Sequence, residues 1–313
     1  MTEITGIHHV TAITRDAQAN LDFYTHVLGM RLVKKTVNQD VPDTYHLFYA
    51  DADGNPGTDL TFFPWADSPP VQPGIGLAME VGLAIPGASA GYWRQRLGEF
   101  SVAIESESVR HGEHALVIRD PFGQPVALVA TDDARTFVAW ERSPVPAAHQ
   151  IRGLHSVRLW ERDLTLTQDF LVNVLGFHAI GEEEGWHRYG VGDGRSGKHL
   201  DIREIPDGAR GRWGVGGIHH VAWRVADDAA QLAVRARVET AHRRPTEVID
   251  RFWFHSVYFL EPGGVLFEVA TDGPGFAIDE SAESLGERLV LPPWLEPERA
   301  KIESELPPLS VSA

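Results

Sequence analysis

The sequence predicts an α+β fold of four βαβββ modules arranged as two paired halves. Three observations carry this reading. The chain has 313 residues, room for two domains of roughly 150 each. Gly6-Ile7-His8-His9-Val10 returns 211 residues later as Gly217-Ile218-His219-His220-Val221. A looser copy, Gly153-Leu154-His155-Ser156-Val157, lies 147 residues on, and the same offset maps Phe23–Met30 onto Phe170–Phe177. Two ungapped matches at one offset mark copies of a single unit.

The elements of a unit follow in order. A short strand opens it, Ile7–Ile13 in the first copy. A helix comes next, with Asp16 or Asp22 as its N-terminal signal and Leu21, Tyr24, Val27 and Leu28 as an apolar stripe at helical spacing. Gly29, and Gly176 in the third unit, sit where a left-handed C-terminal cap is wanted. Three strands then complete the unit, among them Tyr45–Ala50 and Asp59–Phe63, separated by the turn Asp53–Gly57. Asp120-Pro121-Phe122-Gly123 and Glu261-Pro262-Gly263-Gly264 relate the second and fourth units, and Leu128–Asp132 aligns with Glu268–Asp272. The units fall near 4–66, 76–132, 151–206 and 215–272. An open sheet with one apolar face cannot stand alone, so the units must pair. The expected domains are 1–145 and 150–275, two modules each, with Pro144 and Pro146 in the linker. Residues 276–313 form a tail packed on the body.

Composition narrows the chemistry. Asp and Glu outnumber Lys and Arg by 44 to 28, and an acidic surface disfavours nucleic acid. No apolar run approaches the roughly 20 residues of a membrane span, and no signal peptide is visible, so a cytoplasmic protein is expected. Cysteine is absent, which removes thiolate catalysis and Cys-bound metal, whereas histidine reaches 15. Any metal must therefore be held by His, Asp and Glu, a set suited to Fe(II), Mn(II) or Zn(II).

Two His-His pairs at equivalent places are costly in core strands unless something binds them. Strict alternation places His9 and Thr11 on one face of the first strand and His8 on the other. Glu268 stands in the apolar strand Val265–Ala270, where an ionised carboxylate needs cations or a metal. The aligned position in the second unit is Leu128, so the fold itself does not demand an acid. The second His of each pair occurs only in units one and four. His9, His220 and Glu268 are thus the candidate ligands, the two-His, one-carboxylate set of non-heme Fe(II) oxygenases. Zinc-based carbonyl chemistry would use the same residue types. Trp223 and Phe252 lie close enough in sequence to wall an aromatic pocket, while most other tryptophans, Trp253 among them, read as packing.

The repeat, the two Gly-Ile-His-His-Val strands and Leu266–Phe276 resemble the vicinal oxygen chelate superfamily. Arg31–Asp40, Tyr45–Tyr49, Gly54–Phe63, Ile249–Phe252 and Leu291-Pro292-Pro293 extend the resemblance, over essentially the whole chain, to its ring-cleaving dioxygenases of hydroquinones. That resemblance implies a ferrous site at His9, His220 and Glu268, with Zn2+, Mn2+ or Ni2+ able to replace labile Fe2+ in purified protein. It implies that units one and four form the active half, and that the partners are a small aromatic diol and O2. Oligomeric state is open, a homo-oligomer included. Thr11, His8, His219, Arg251 and Tyr258 fall on the family's supporting and substrate-contacting positions. Arg251 is expected to stabilise negative charge, Tyr258 to donate to bound oxygen, and His8 or His219 to shuttle protons. His155 is the rival ligand, because catechol-cleaving relatives take their first His from unit three. Two other functions share the fold: a glyoxalase-type isomerase or lyase, which would want a further ligand such as Asp59 or Thr61, and a non-catalytic aromatic-binding protein.

Overall fold

Each unit folds as its pattern dictates. In the computed structural model, which describes residues 3–311, the first unit comprises β1 (Gly6–Thr14), α1 (Ala17–Asp22), β2 (Arg31–Asn38), β3 (Val41–Ala50) and β4 (Asp59–Pro64). Asp16 caps α1 by accepting from the Ala19 amide at 2.7 Å; Asp22 ends the helix instead of starting it. A wide π turn, Phe23–Val27, follows, and Gly29 turns the chain out at φ +71°, where an added Cβ would strike Val145. The apolar stripe behaves as its spacing predicts: Leu21, Tyr24 and Leu28 are buried.

The second unit holds β5 (Leu77–Pro86), α2 (Ala90–Glu99), β6 (Ile104–Arg110), β7 (Glu113–Arg119) and β8 (Pro125–Thr131). The third holds β9 (Leu154–Glu161), α3 (Leu164–Asn173), β10 (His178–Glu183), β11 (Trp186–Gly190) and β12 (His199–Glu204). The fourth holds β13 (Gly217–Val225), α4 (Asp228–Thr240), β14 (Ile249–Asp250), β15 (Phe254–Leu260) and β16 (Leu266–Pro274). Asp163 and Asp227 cap α3 and α4 as Asp16 caps α1.

The units pair across the sequence, not along it. One curled eight-stranded sheet runs β14-β15-β16-β13-β1-β4-β3-β2, joining units four and one. The other runs β10-β11-β12-β9-β5-β8-β7-β6, joining units three and two. The break near 145–150 thus divides the sequence, while each sheet takes one module from either side of it. At the centre of the first sheet β1 lies antiparallel to β13, and each is parallel to the last strand of its own unit. One face of both sheets packs with the helices into a shared core that includes Val10, Leu60, Val221 and Val269. The other face of the first sheet forms a cup lined by Val33, Phe48, Ala222 and Ala270. Ala115, Val117, Ala127 and Val129 line the corresponding cup of the second sheet.

The tail packs on the body. The Val290 amide donates to the Lys35 carbonyl, Arg31 donates to the carbonyls of Ala282 and Glu283, and Tyr45 donates to that of Pro307, beyond the short helix α5 (Arg299–Glu305). Fully buried Lys34 is gripped by Asp279 and Glu280 of the same segment.

Candidate metal centre

Registers in the central strand pair bring the candidate ligands together. Thr11 faces His220 and His9 faces Ala222 across the β1–β13 ladder, while Ala222 faces Glu268 on β16. The three donor atoms form a small triangle. His9 Nε2 lies 3.2 Å from His220 Nε2, and Glu268 Oε2 lies 3.3 Å and 3.0 Å from those two nitrogens. All three residues are buried. The other carboxylate oxygen accepts from the Ser256 hydroxyl at 2.5 Å. Glu268 Oε2, although close to both rings, makes no well-directed hydrogen bond. Burial alone would raise the carboxyl pKa, but His9 and His220 outweigh it and hold the group well below the usual range.

These donors fit a metal ion. A buried anionic oxygen with two imidazole nitrogens beside it and no hydrogen bond of its own lacks a cation. Bonds of about 2.1 Å give octahedral edges of about 3.0 Å, close to the observed triangle. Three donors on one face leave further positions for other ligands.

The outer histidines support the inner ones. His8 Nδ1 lies 2.9 Å from His9 Nδ1, and His8 Nε2 lies 3.1 Å from the Thr271 carbonyl. The carbonyl can only accept, so His8 carries its proton on Nε2 and its Nδ1 accepts from His9. That leaves the His9 Nε2 lone pair free for the centre. His219 Nδ1 lies 2.8 Å from His220 Nδ1 in the same arrangement. The β1–β13 register shifts at His8 and at His219, so neighbours that strict alternation sets on opposite faces meet on one side. His8 is therefore not across the sheet from His9. Burial pushes both His8 and His219 down to about 3. Neither lines the cleft, and each is placed to orient the inner ring beside it.

A cleft opens to solvent above the triangle. His46, Phe63, Phe254, Tyr258 and Arg251 line it. Arg251 donates to both Asp40 oxygens at 3.2 and 2.9 Å, and its guanidinium lies 5.6 Å from the centre of the Tyr258 ring. Burial works against the Arg251 charge, yet Tyr258 and Asp40 raise its pKa. Burial and the Glu268 charge also raise the Tyr258 phenol, so it stays a donor. Thr11 Oγ1 lies 2.7 Å from Thr61 Oγ1, which lies 2.9 Å from His46 Nε2.

Sequence reasoning missed His46. Burial, with His9 and His220 nearby, holds its pKa well below the ordinary value, leaving a neutral base on the cleft wall. The signal was its alternation with Phe48 on one strand opposite Thr61 and Phe63 on the next. Trp223 is no cleft wall: it packs against Phe177 and Phe267 in the shared core. Phe252 stands at φ +73° against Trp253 and Trp294, and Trp253 and Phe254 line the cleft instead. The counterpart of Glu268 also moves by one residue. Gly82 on β5 pairs with Ala127, which faces the second cup, whereas Leu128 faces the shared core like Val269. Asp59 is buried outside the cleft lining, and burial, reinforced by Asp51, raises its pKa strongly. His155 lies in the second sheet, beside Glu113 and His199.

A paired-module α+β fold with a His/His/Glu centre in a half-barrel defines a class, and the family comparison names it. The family model of the Glyoxalase/Bleomycin resistance protein/Dioxygenase superfamily matches residues 6–128 and 153–269, and the chain belongs to that superfamily. Among its relatives, "Putative ring-cleaving dioxygenase MhqA" of Bacillus subtilis (strain 168) is 40% identical over 98% of this chain and 99% of its own. The chlorohydroquinone/hydroquinone 1,2-dioxygenase of Sphingobium indicum is 32% identical over 94% of this chain and 93% of its own. A solved structure of a "putative dioxygenase" from Bacillus subtilis subsp. subtilis str. 168 superposes with a TM-score of 0.92 at 38% identity, covering 100% of this chain and 99% of that one.

Proposed function

We propose that the protein is a ring-cleaving dioxygenase that opens a hydroquinone-type aromatic diol with O2 at an Fe(II) centre held by His9, His220 and Glu268. One observation carries the reading: the buried triangle of donors with its orphaned carboxylate oxygen, at the base of an aromatic-lined cleft. The relatives named for this chemistry support it. The metal, when bound, supplies the one-electron chemistry that lets O2 react with a ring and gives both reactants a common anchor.

The chain's own residues supply the rest. Phe63 and Phe254 provide aromatic surface to orient a flat ring. His46 is unprotonated and buried on the cleft wall, so its ring can accept from a substrate hydroxyl as a general base, with the Thr61–Thr11 hydroxyls behind its Nε2. Arg251 is fixed by Asp40 and brings positive charge to the wall where negative charge develops. Tyr258, kept protonated, donates toward the same region. Among the described residues no fourth His, Asp or Glu joins the triangle, which favours this reading over a glyoxalase-type isomerase.

Oxygen consumption tests it. After anaerobic Fe(II) loading, a hydroquinone should drive uptake of one O2 per ring opened, and Glu268→Gln should abolish it. Metal-loaded protein that consumes no O2 with any hydroquinone or catechol would overturn the assignment.

A further inference from the structure

The second cup does not repeat the first. Strand registers place Ser156, Glu80 and Ala127 where His9, His220 and Glu268 stand in the first sheet. Glu80 is taken up by Arg110 and Arg158. Those positions therefore cannot hold a metal. Elsewhere in that cup, however, Glu113 of β7, His155 of β9 and His199 of β12 each offer a ligand atom, the three within 4.8 Å of one another.

Three features distinguish this group from an incidental salt bridge. His155 is fully buried; its Nε2 lies 3.0 Å from Glu113 Oε2 and its Nδ1 lies 3.0 Å from the Ser156 hydroxyl, a partner that can hold the ring as the outer histidines hold theirs. His199 is 5% exposed, and its Nε2 lies 2.7 Å from the Gly194 carbonyl. A carbonyl only accepts, so the proton is on Nε2 and the available lone pair is on Nδ1. That Nδ1 is buried with no hydrogen-bond partner. Arg188 is the competing cation, 3.2 Å from Glu113 Oε2, but it grips Asp201 with two nitrogens at 2.7 and 3.0 Å.

The geometry points to a second divalent-metal site at Glu113, His155 and His199, separate from the proposed ferrous centre. Two neutral imidazoles and one carboxylate suit Zn2+, with a fourth position left open. The site accounts for the otherwise orphaned His199 nitrogen.

Metal counting tests it without reference to activity. The full chain is stripped with a chelator, loaded with Zn2+ or Co2+, desalted and analysed for metal per chain. Two equivalents are expected. His199→Leu and Glu113→Gln should each halve the count, His220→Ala should also halve it, and His199→Leu combined with His220→Ala should bind none. Glu113→Gln keeps size and shape, so it carries the test should His199→Leu fail to fold. A single equivalent lost with His220→Ala but indifferent to Glu113→Gln and His199→Leu overturns the inference, as does no binding at all. A single equivalent lost with His199→Leu but kept in His220→Ala sustains it and counts against the ferrous centre instead.

Discussion

Replacing His8 with Phe removes the acceptor behind His9 while keeping a ring among the aromatic neighbours of the cup. His9 Nδ1 then loses its partner at 2.9 Å, in a residue that is 2% exposed. Without metal, His9 escapes by moving its proton to Nε2. With metal on Nε2 it cannot, and a buried N–H is stranded, at a cost of about 1–3 kcal/mol. Losing the group that orients a ligating His typically costs about 10–100-fold in metal affinity, or about 1.4–2.7 kcal/mol. The two figures agree and fall on the loaded state, whereas the stripped protein loses only the His8 bond to the Thr271 carbonyl, about 0.5–1.5 kcal/mol, so affinity should drop by more than that loss of stability explains. Competition against a chromophoric chelator measures the first and thermal unfolding the second. His8→Gln, which keeps an acceptor, should recover part of the affinity. Unchanged affinity in the Phe variant would refute the proton assignment and, with it, the orienting role of the outer histidines.

Other outcomes follow from the same geometry. His46→Asn should lower kcat by about 10²–10⁴-fold with metal content unchanged, as for loss of a general base, measured by oxygen uptake on loaded enzyme. Lys34→Met leaves buried Glu280 with only the exposed Arg288 guanidinium, 3.9 Å away; about 3 kcal/mol of stability should be lost and the tail beyond Pro274 should become open to protease, with added Glu280→Gln restoring part. Glu161 is fully buried beside Glu261, and burial together with that neighbour pushes its pKa up to about 9 from 4.5. The folded value exceeds the unfolded one, so this contribution to stability is complete below 4.5 and drains away as pH rises towards 9. Glu161→Gln should flatten the fall of Tm across that window; an equally steep fall in the variant would show that the proton is held elsewhere.

Much of this architecture could be read from the residues. Ungapped repeats related units one, three and four, a match with one inserted residue added unit two, Asp16, one of two candidates, gave the first helix start, and the restriction of the second His to units one and four pointed to the pair of modules that share the first sheet. What escaped was local. Alternation assigns His8 and His9 to opposite faces, and only a shift in the ladder, which leaves no mark in composition, turns them to one side. Shared Val-Ala-Thr-Asp identity drew Leu128 onto Glu268, yet a slip of one residue reverses a strand's faces, and Ala127 is the true counterpart. His46 stood in plain view in a strand of aromatic residues; its role depends on Thr61 and Thr11, which only the packed sheet brings to it.

The central pairing of β1 with β13 has a consequence for how the protein is made. His9 emerges early in synthesis, but its ladder partner follows some 211 residues later and Glu268 later still. Until then β1 offers one side to solvent as an unprotected strand, with β4 alone beside it. The second sheet, assembled from the two middle modules, can close first. Such distant contacts make folding slow, and the nascent amino-terminal module is the segment most in need of shielding. If the first sheet takes up metal as proposed, capture would report that nearly the entire chain has been translated and correctly closed, and a product truncated before residue 268 would carry His9 and His220 without their carboxylate partner.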